Sequence, residues 1–252
     1  NQKLMKMGYI NCLTPDHRVL TADMRWIQIG DLVEGDRLIG FDEKPPGPRQ
    51  RKRYRLAEVF KPIPRRADVY RIVLSDGTEL KATGDHLWIT MTAKAPQHLW
   101  RATESLRVGD RFPRVFTPWQ TPTTHDAGWM AGILDGEGSA GFYHSGDGRT
   151  GVQTHLSISQ NPGAVLEKVC ELLRRWGFQF SMSPDVYGSV CLRVRISRKD
   201  EVAHLIGMTR SVRLLPKVSP DWFRAVVGFA HASVEAVEKL GQRDVVMFGT
   251  ST

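Results

Sequence analysis

The sequence predicts a mainly β protein that is interrupted by an α+β unit with the element order αββαββα. Three observations indicate this fold class. Short alternating runs recur as two similar copies in the first half of the chain. A stretch rich in Thr and Pro at 117–124 separates these copies from the rest of the chain. Beyond it the apolar residues take a helical period, until a strand-like run at 244–248 restores alternation.

The first half contains an internal repeat. His17 and His86 each begin a similar apolar run, and they lie 69 residues apart. A tryptophan and then a Gly-Asp pair follow in both copies, each 74 residues apart: Trp26 with Trp100, and 35–36 with 109–110. Each copy has the pattern of short strands separated by tight turns. The shared order therefore predicts a duplicated all-β unit.

The segment after the Thr/Pro stretch alternates between helical and strand-like patterns. Pro162 stands near the start of one helical run and Gly177 follows its end, which is the usual asymmetry of helix termini. In chain order we predict a helix at 127–138, strands at 140–145 and 154–161, a helix at 162–177, strands at 178–185 and 189–197, and a helix at 199–209.

Composition and charge narrow the functional classes. The 252 residues carry a net charge of +8 at pH 7, which favours a polyanionic partner, and nucleic acid first. Three cysteines are too few for a disulfide framework and are typical of a reducing compartment. No apolar run is long enough to span a membrane and no secretory signal begins the chain, so we expect a cytoplasmic protein without a membrane partner.

Three segments of the β part resemble the sequence blocks of one family. "CLTPDHRVLT", which begins at Cys12, looks like the start of a Hint domain, the self-processing fold of inteins and hedgehog-type proteins. "GTELKATGDHLWIT" resembles the second intein block, whose pattern Thr-x-x-His falls on Thr83 and His86. "GQRDVVMFGTST" is similar to the late intein strand block. The resemblance implies a mainly β Hint (hedgehog/intein) fold.

A fourth segment lies between the second block and the late block. "AGILDGEG", which contains Glu137, resembles the LAGLIDADG motif of homing endonucleases. Four blocks in the expected order imply a Hint domain with an inserted α+β LAGLIDADG domain. The implied bounds are 1–11 for a remnant of the host protein (the extein), 12–120 and 219–252 for the two parts of the Hint domain, and 121–218 for the endonuclease insert.

The resemblance implies an N-to-S acyl shift at Cys12. Its thiol would attack the carbonyl of Asn11 and exchange the amide for a thioester. His86 would protonate the leaving amine, because imidazole titrates near neutral pH. Thr83 would hold the scissile carbonyl or amide by hydrogen bonding. The alternative for Cys12 is a buried core thiol, and His17, the repeat partner of His86, has no evident task.

Two departures from the family pattern limit what we expect. Inteins generally end in His-Asn followed by Cys, Ser or Thr, whereas this sequence stops at Thr252, so we expect no complete splicing from the chain as given. The late block often carries an acid near its centre, where this sequence has Met247. The acyl shift at Cys12 does not need the missing tail, and it needs no cofactor. Cleavage by an added thiol therefore stays open.

The LAGLIDADG resemblance implies a metal-dependent site that cuts DNA. Ala131 and Gly132 are small enough to let two such helices pack closely, with Glu137 at the end of each helix holding Mg²⁺. Asp135 falls at the other acid of the motif, which looks structural. Gln160 resembles a water-positioning residue of some family members, and the alternative is a plain surface amide. Since the chain has one motif, activity would require a homodimer.

The strands of the insert imply a face for double-stranded DNA. Arg193 and Arg195 alternate along one strand, so both point to the same face and would contact guanine edges or phosphates. Arg198 and Lys199 would contact phosphates. The alternative is a basic face that only meets solvent.

Three functional hypotheses stay open at this stage. The first is an intein-like self-processing protein that also makes a divalent-metal-dependent double-strand cut in DNA. The second is a catalytically silent DNA-binding or splicing-only remnant with a decayed endonuclease. The third is a hedgehog-like processing domain with no DNA role, against which the insert argues.

Overall fold

The computed structural model describes residues 12–42, 53–92, 95–114, 116–144, 152–186, 189–219 and 230–251. The chain divides into two compact units. The first unit contains residues 1–21, 26–117 and 225–252, and the second contains residues 22–25 and 118–224. Among the described residues, no helix is both long and apolar enough to cross a membrane.

The first unit is built mainly from strands, as the alternating sequence predicts. A 3-10 turn follows the third strand and another follows the eighth, at Ile29–Asp31 and Thr103–Ser105. In chain order its first strands are β1 (Cys12–Leu13), β2 (Arg18–Leu20), β3 (Trp26–Gln28), β4 (Arg37–Phe41), β5 (Tyr54–Leu74), β6 (Glu79–Thr83), β7 (Leu87–Thr92), β8 (Ala95–Ala102) and β9 (Arg111–Arg114).

The helices and strands of the second unit follow the predicted order αββαββα. They are α1 (His125–Gly136), β10 (Gly138–His144), β11 (Val152–Gln160), α2 (Ala164–Arg175), β12 (Ser181–Pro184), β13 (Leu192–Ile196) and α3 (Lys199–Thr209). The four strands form one antiparallel sheet in the order β10-β11-β13-β12.

The chain returns to the first unit through β14 (Ala230–Thr250), which pairs antiparallel with β5 from Thr250 to Val234. Within the described residues, the large sheet has the order β4-β5-β6-β1-β14-β9-β7-β8, and β5 also pairs with β14. The short strand β1 lies between β6 and β14. The strand that carries Cys12 therefore has a paired strand on each side, through Cys12 to β14 and through Leu13 to β6.

The predicted duplication is visible in the backbone. The two 3-10 turns begin at Ile29 and Thr103, which keeps the offset of the sequence repeat. Gly35 and Gly109 follow them with positive φ angles of 89° and 90°, a region that glycine enters without steric cost. In each copy the aspartate after that glycine accepts a backbone N–H through Oδ2 at 2.9 Å.

Each copy also buries its own apolar cluster. Burial of these side chains is the main favourable term that holds the two copies against the large sheet. The first cluster contains Ile29, Leu32, Leu38, Val59 and Val246, and the second contains Ile72, Leu74, Leu106, Phe112, Ala232 and Val234.

The sheet of the second unit has one buried face. Alternate residues of β11 and β13 are 1–2% exposed, namely Leu156, Ile158, Val194 and Ile196. The helices bury apolar residues in turn, including Met130 and Leu134 of α1, so the unit is a helical layer on a sheet. α1 starts two residues before the predicted start, because the Thr124 hydroxyl accepts the Ala127 N–H at 3.3 Å and caps it there.

Candidate active site

Cys12 is buried in the centre of the first unit. It is 3% exposed and packs with Val69 and Val245. In the strand register it lies opposite Met247 of β14, so an apolar side chain stands where the family pattern often has an acid. This burial fits both interpretations of Cys12, as a nucleophile and as a core thiol. The polar groups around Cys12 are needed to distinguish them.

The charge around the Cys12 thiol is mixed. Burial raises the pKa of this thiol, since it penalises the thiolate. The Arg65 guanidinium acts in the opposite direction and lowers it, while the Asp85 carboxylate raises it further. The resting thiol is therefore mostly protonated at neutral pH.

The turn at 83–86 joins β6 to β7 and presents the Thr-x-x-His pattern. The His86 N–H donates to the Thr83 carbonyl at 3.1 Å, which closes the turn. The Glu104 N–H donates to the Gly84 carbonyl at 3.0 Å. A Cβ on Gly84 would lie 3.1 Å from side-chain atoms of both Glu104 and Tyr70, so glycine lets the turn pack this closely.

His86 is a buried imidazole with an open nitrogen. It is 9% exposed, and its Nδ1 has no hydrogen-bond partner among the described residues. Its ring lies against Trp88, with 4.4 Å between ring centroids. A buried nitrogen without a partner is costly in a folded protein, so Nδ1 of His86 is a candidate for contact with a group outside the described residues.

Burial, with a smaller contribution from the neighbouring His17, lowers the pKa of His86 to about 3, and the Asp85 carboxylate partly offsets this. The imidazole is therefore neutral at pH 7. The expectation that His86 titrates near neutral pH is wrong, because burial lowers its pKa. This burial depends on the tertiary structure and cannot be read from the motif. Neutral His86 must accept a proton before it can donate one.

Thr83 lies next to Cys12. It is 3% exposed, and its hydroxyl donates to the Cys12 carbonyl at 3.4 Å, a long hydrogen bond. The predicted partner was the carbonyl or amide of the Asn11–Cys12 bond. Asn11 lies outside the described residues, so its contact with Thr83 stays a prediction. The turn at 83–86 nevertheless faces the backbone of Cys12.

His17 occupies the equivalent turn of the first copy, and its ring has a structural partner. Its Nε2 accepts the backbone N–H of Lys81 at 2.8 Å. Asp16, the preceding residue, forms an ion pair with the Lys81 ammonium at 3.0 Å. Burial lowers the pKa of His17, so it too is held neutral. The structure thus gives His17 a structural role, which the sequence did not show.

In the second unit, the two acids of the LAGLIDADG-like segment have different surroundings. Asp135 accepts from the Ser211 hydroxyl at 2.6 Å and from the Arg213 N–H at 2.9 Å, which ties α1 to the segment after α3. These hydrogen bonds lower the pKa of Asp135 even though burial alone would raise it. Glu137 follows the last residue of α1 and is exposed.

Gln160 lies at the same end of the sheet as Glu137. Gly138, the residue after Glu137, is paired with Ile158, and Gln160 stands two residues beyond on the same strand. Its Oε1 accepts the Asn161 N–H at 3.0 Å. Glu137 and Gln160 therefore lie at the same end of the sheet. No contact with a shared ligand is shown.

The open face of the small sheet carries the predicted arginines. Arg193 and Arg195 line a cavity of about 340 Å³ together with Ser139, His155, Ser157, Ser159 and Asp185. Arg193 forms an ion pair with Asp185. Arg198 is engaged elsewhere, with Asp200 at 2.6 Å and Glu201 at 3.6 Å, and the neighbouring Lys199 opens α3. The structure thus groups the first pair of predicted cations and separates Arg198 from them.

Three contributors were missed by sequence reasoning. Arg65 acts on the Cys12 thiol from a strand more than fifty residues away. Asp185 holds Arg193, and Lys81 holds His17. Each pair depends on strand register, and no local pattern in the sequence signals it.

No protein-family model and no curated protein matches the chain. Among solved structures it is similar to the G-1F mutant of the Ssp DnaB mini-intein variant M86, at 9% identity, covering 96% of this chain and 90% of that chain, with a TM-score of 0.42.

Two further solved structures illustrate the range. The DnaX mini-intein from Spirulina platensis is 13% identical, with 96% of this chain and 90% of that chain covered and a TM-score of 0.39. The Msm DnaB1 intein splicing domain bound with zinc is 27% identical, over 39% of this chain and 66% of that chain, with a TM-score of 0.28. All three TM-scores are below 0.5, so the likeness carries no functional argument.

Proposed function

We propose that the first unit is an intein-like self-processing domain that performs an N-to-S acyl shift at Cys12. One observation carries the proposal. The turn that donates the Thr83 hydroxyl to the Cys12 carbonyl also holds the buried, open Nδ1 of His86. A plain core thiol requires neither group. Nucleophilic cleavage of an amide requires a proton carrier and a hydrogen bond that fixes the reacting backbone.

The proton balance follows from the neutral state of His86. The Cys12 thiol gives its proton to the imidazole, and the resulting thiolate attacks the carbonyl carbon of Asn11. The bond from that carbon to the Cys12 nitrogen then breaks, and the imidazolium returns the proton to the leaving amine. The net change is an isomerisation from amide to thioester. The depressed pKa of His86 makes its cation a strong acid towards the amine.

Thiol-induced cleavage tests this proposal. The chain is incubated with dithiothreitol, and release of residues 1–11 is followed by mass spectrometry. Cys12→Ala should abolish the release, whereas Cys170→Ala and Cys191→Ala should keep it, because both residues belong to the second unit. Release that persists in Cys12→Ala, or is absent from the unmodified chain, would contradict the proposal.

A second candidate function concerns the second unit, which we propose is a LAGLIDADG-type domain that binds double-stranded DNA. The supporting observation is the order αββαββα, with Asp135 used in structural hydrogen bonds and Glu137 exposed after α1. The open sheet face with Arg193 and Arg195 suits a major groove, where arginine contacts guanine and phosphate.

The described residues of a single chain offer Mg²⁺ too few ligands. Within the described residues, no group of three or more His, Cys, Asp or Glu side chains lies close enough to hold a metal ion. Glu137 of a single chain offers one carboxylate, and Mg²⁺ is usually held by more oxygen ligands. A homodimer through the α1 face with Ala131 and Gly132 would bring a second Glu137. We therefore propose DNA cutting for a dimer alone and assign no metal-dependent step to the single chain.

Plasmid cleavage separates the cutting protein from the silent DNA binder. A plasmid with the uninterrupted host gene is incubated with the protein and MgCl₂, and both strand scission and gel retardation are recorded. Linear product that disappears in Glu137→Gln supports the endonuclease. Retardation without scission supports the DNA-binding remnant, and the absence of both scission and retardation would overturn a DNA role.

A further inference from the structure

Three adjacent strands place an arginine on the same sheet face as the nucleophile. Cys12 lies opposite Met247 of β14, and Met247 lies opposite Ile63 of β5. Two positions along, Val245 lies opposite Arg65. Directly opposed residues share a face of the sheet, and alternate residues of a strand return to it. Arg65 therefore projects from the face that carries Cys12.

The packing agrees with this register. Ala67 and Val69 follow Arg65 at alternate positions of β5, and both pack in the cluster that encloses Cys12. Arg65 itself is exposed, and among the described residues it forms no ion pair. The Arg65 guanidinium thus lies where the cluster that contains the Cys12 thiol meets solvent.

The other charged groups around Cys12 do not replace Arg65. Asp85, on the turn at 83–86, opposes thiolate formation. Arg243 of β14 lies opposite Ala67 on the same face, but its guanidinium donates to the Gln242 carbonyl at 2.8 Å. His86 is neutral, and Met247 carries no charge. Arg65 of β5 is therefore the cation that can stabilise the thiolate.

We propose that Arg65 is a positioning residue for the acyl shift. From β5, which pairs with β14 beside β1, its cation favours the thiolate of Cys12. This inference rests on the proposed self-processing function. Arg65 of β5 supplies the favourable charge for the thiolate, because the residue of β14 opposite Cys12 is the uncharged Met247. The attacking step itself remains an isomerisation, in which the thiol proton leaves through His86 and returns to the amine.

A neighbouring arginine offers a matched control. Arg66 projects from the other face of β5, where it pairs with Asp244 at 3.5 Å. Arg65→Met, Arg65→Lys and Arg66→Met are compared by the rate of thiol-induced release between pH 6 and 9.5, at low salt and in 1 M NaCl. We expect Arg65→Met to be about fivefold slower at pH 7 and low salt, since an exposed charge acts through a high dielectric.

An electrostatic role predicts four further outcomes. The deficit of Arg65→Met should shrink as pH rises and the thiolate forms without help, and it should also shrink in 1 M NaCl because salt screens an exposed charge. Arg65→Lys should recover most of the rate, and Arg66→Met should match the unmodified chain. A deficit that is constant with pH and salt, or is equal in Arg66→Met, would overturn the inference.

A second readout separates this inference from the proposed function. In a Cys170→Ala, Cys191→Ala background, alkylation by iodoacetamide reports the Cys12 thiolate directly. Arg65→Met should shift the pH profile of alkylation to higher pH, whether or not cleavage occurs. An unshifted profile overturns the role of Arg65, whereas a shifted profile without any thiol-induced release overturns only the self-processing function.

Discussion

Two turns of the first unit share one backbone arrangement and use it differently. In the turns at 14–17 and 83–86, the histidine N–H donates to the carbonyl of the threonine three residues earlier, at 3.1 Å in both. The next 3-10 turn in each copy donates a backbone N–H to the histidine carbonyl, from Ile29 at 2.7 Å and from Thr103 at 2.9 Å. The difference lies in the rings.

The His17 ring has a structural role, because its Nε2 accepts the Lys81 backbone N–H at 2.8 Å. The His86 ring is buried with no partner for Nδ1 among the described residues. The two similar turns thus differ in their rings: the first has a structural hydrogen bond, and the second has a buried nitrogen without a partner among the described residues. Four changes test this contrast, from the largest expected effect to the smallest.

Replacing His86 should have the largest effect. We expect His86→Gln to slow thiol-induced release of residues 1–11 by at least about 100-fold, the usual contribution of a proton carrier. His17→Gln should stay within about threefold of the unmodified chain. The measurement is the release rate at pH 7 by mass spectrometry. Equal losses in the two variants would break the contrast.

The stability of the first unit should depend on pH through His86. Its pKa falls from 6.5 when unfolded to about 3 when folded, so the unfolded chain binds an extra proton between these values. Stability that is present above pH 6.5 is therefore lost as pH falls towards 3. Between pH 7 and 4 the unmodified chain should lose about 3 kcal/mol more than His86→Gln. Urea unfolding at both pH values checks this, and identical losses would contradict it.

His17 should matter for stability more than for rate. His17→Ala leaves the part-buried Lys81 N–H without its acceptor, and we expect a loss of about 1–3 kcal/mol in the free energy of unfolding. His125→Ala is the control, since that side chain is 83% exposed. Urea unfolding at pH 7 compares them. A His17→Ala variant as stable as the control would show that the ring has no structural role.

The Thr83 hydroxyl should contribute least, because its hydrogen bond to the Cys12 carbonyl is long. We expect Thr83→Val to slow release about tenfold, which corresponds to about 1.4 kcal/mol. Thr14→Val makes the same change in the other turn and should alter the rate less than about twofold. If Thr14→Val proves the slower of the two, the assignment of roles to the two turns is reversed.

Local patterns made much of the fold predictable. The Gly-Asp turns could be located because Gly35 and Gly109 adopt positive φ angles that few other residues tolerate. The last helix was predicted at its observed bounds, Lys199–Thr209, from its apolar period. The start of α1 was missed, because a single capping hydroxyl at Thr124 decided it.

The sequence predicts the residue types of the candidate site, but it does not predict their electrostatics. Thr83 and His86 follow from a motif, and the structure places Thr83 at the backbone of Cys12. The low pKa of His86 depends on burial, and the influence of Arg65 depends on the register of β5 with β14. Both come from pairings between distant segments, which no short window of sequence contains.

The most direct test of the central claim is the chemical identity of the fragment that dithiothreitol releases. Attack by Cys12 on the Asn11 carbonyl predicts a fragment of residues 1–11 whose C-terminal Asn11 carries a dithiothreitol thioester, as shown by its mass and its loss on hydroxylamine treatment. The fragment should be absent from Cys12→Ala and present in Cys170→Ala. A fragment that ends at another residue, or that Cys12→Ala still produces, would contradict the account.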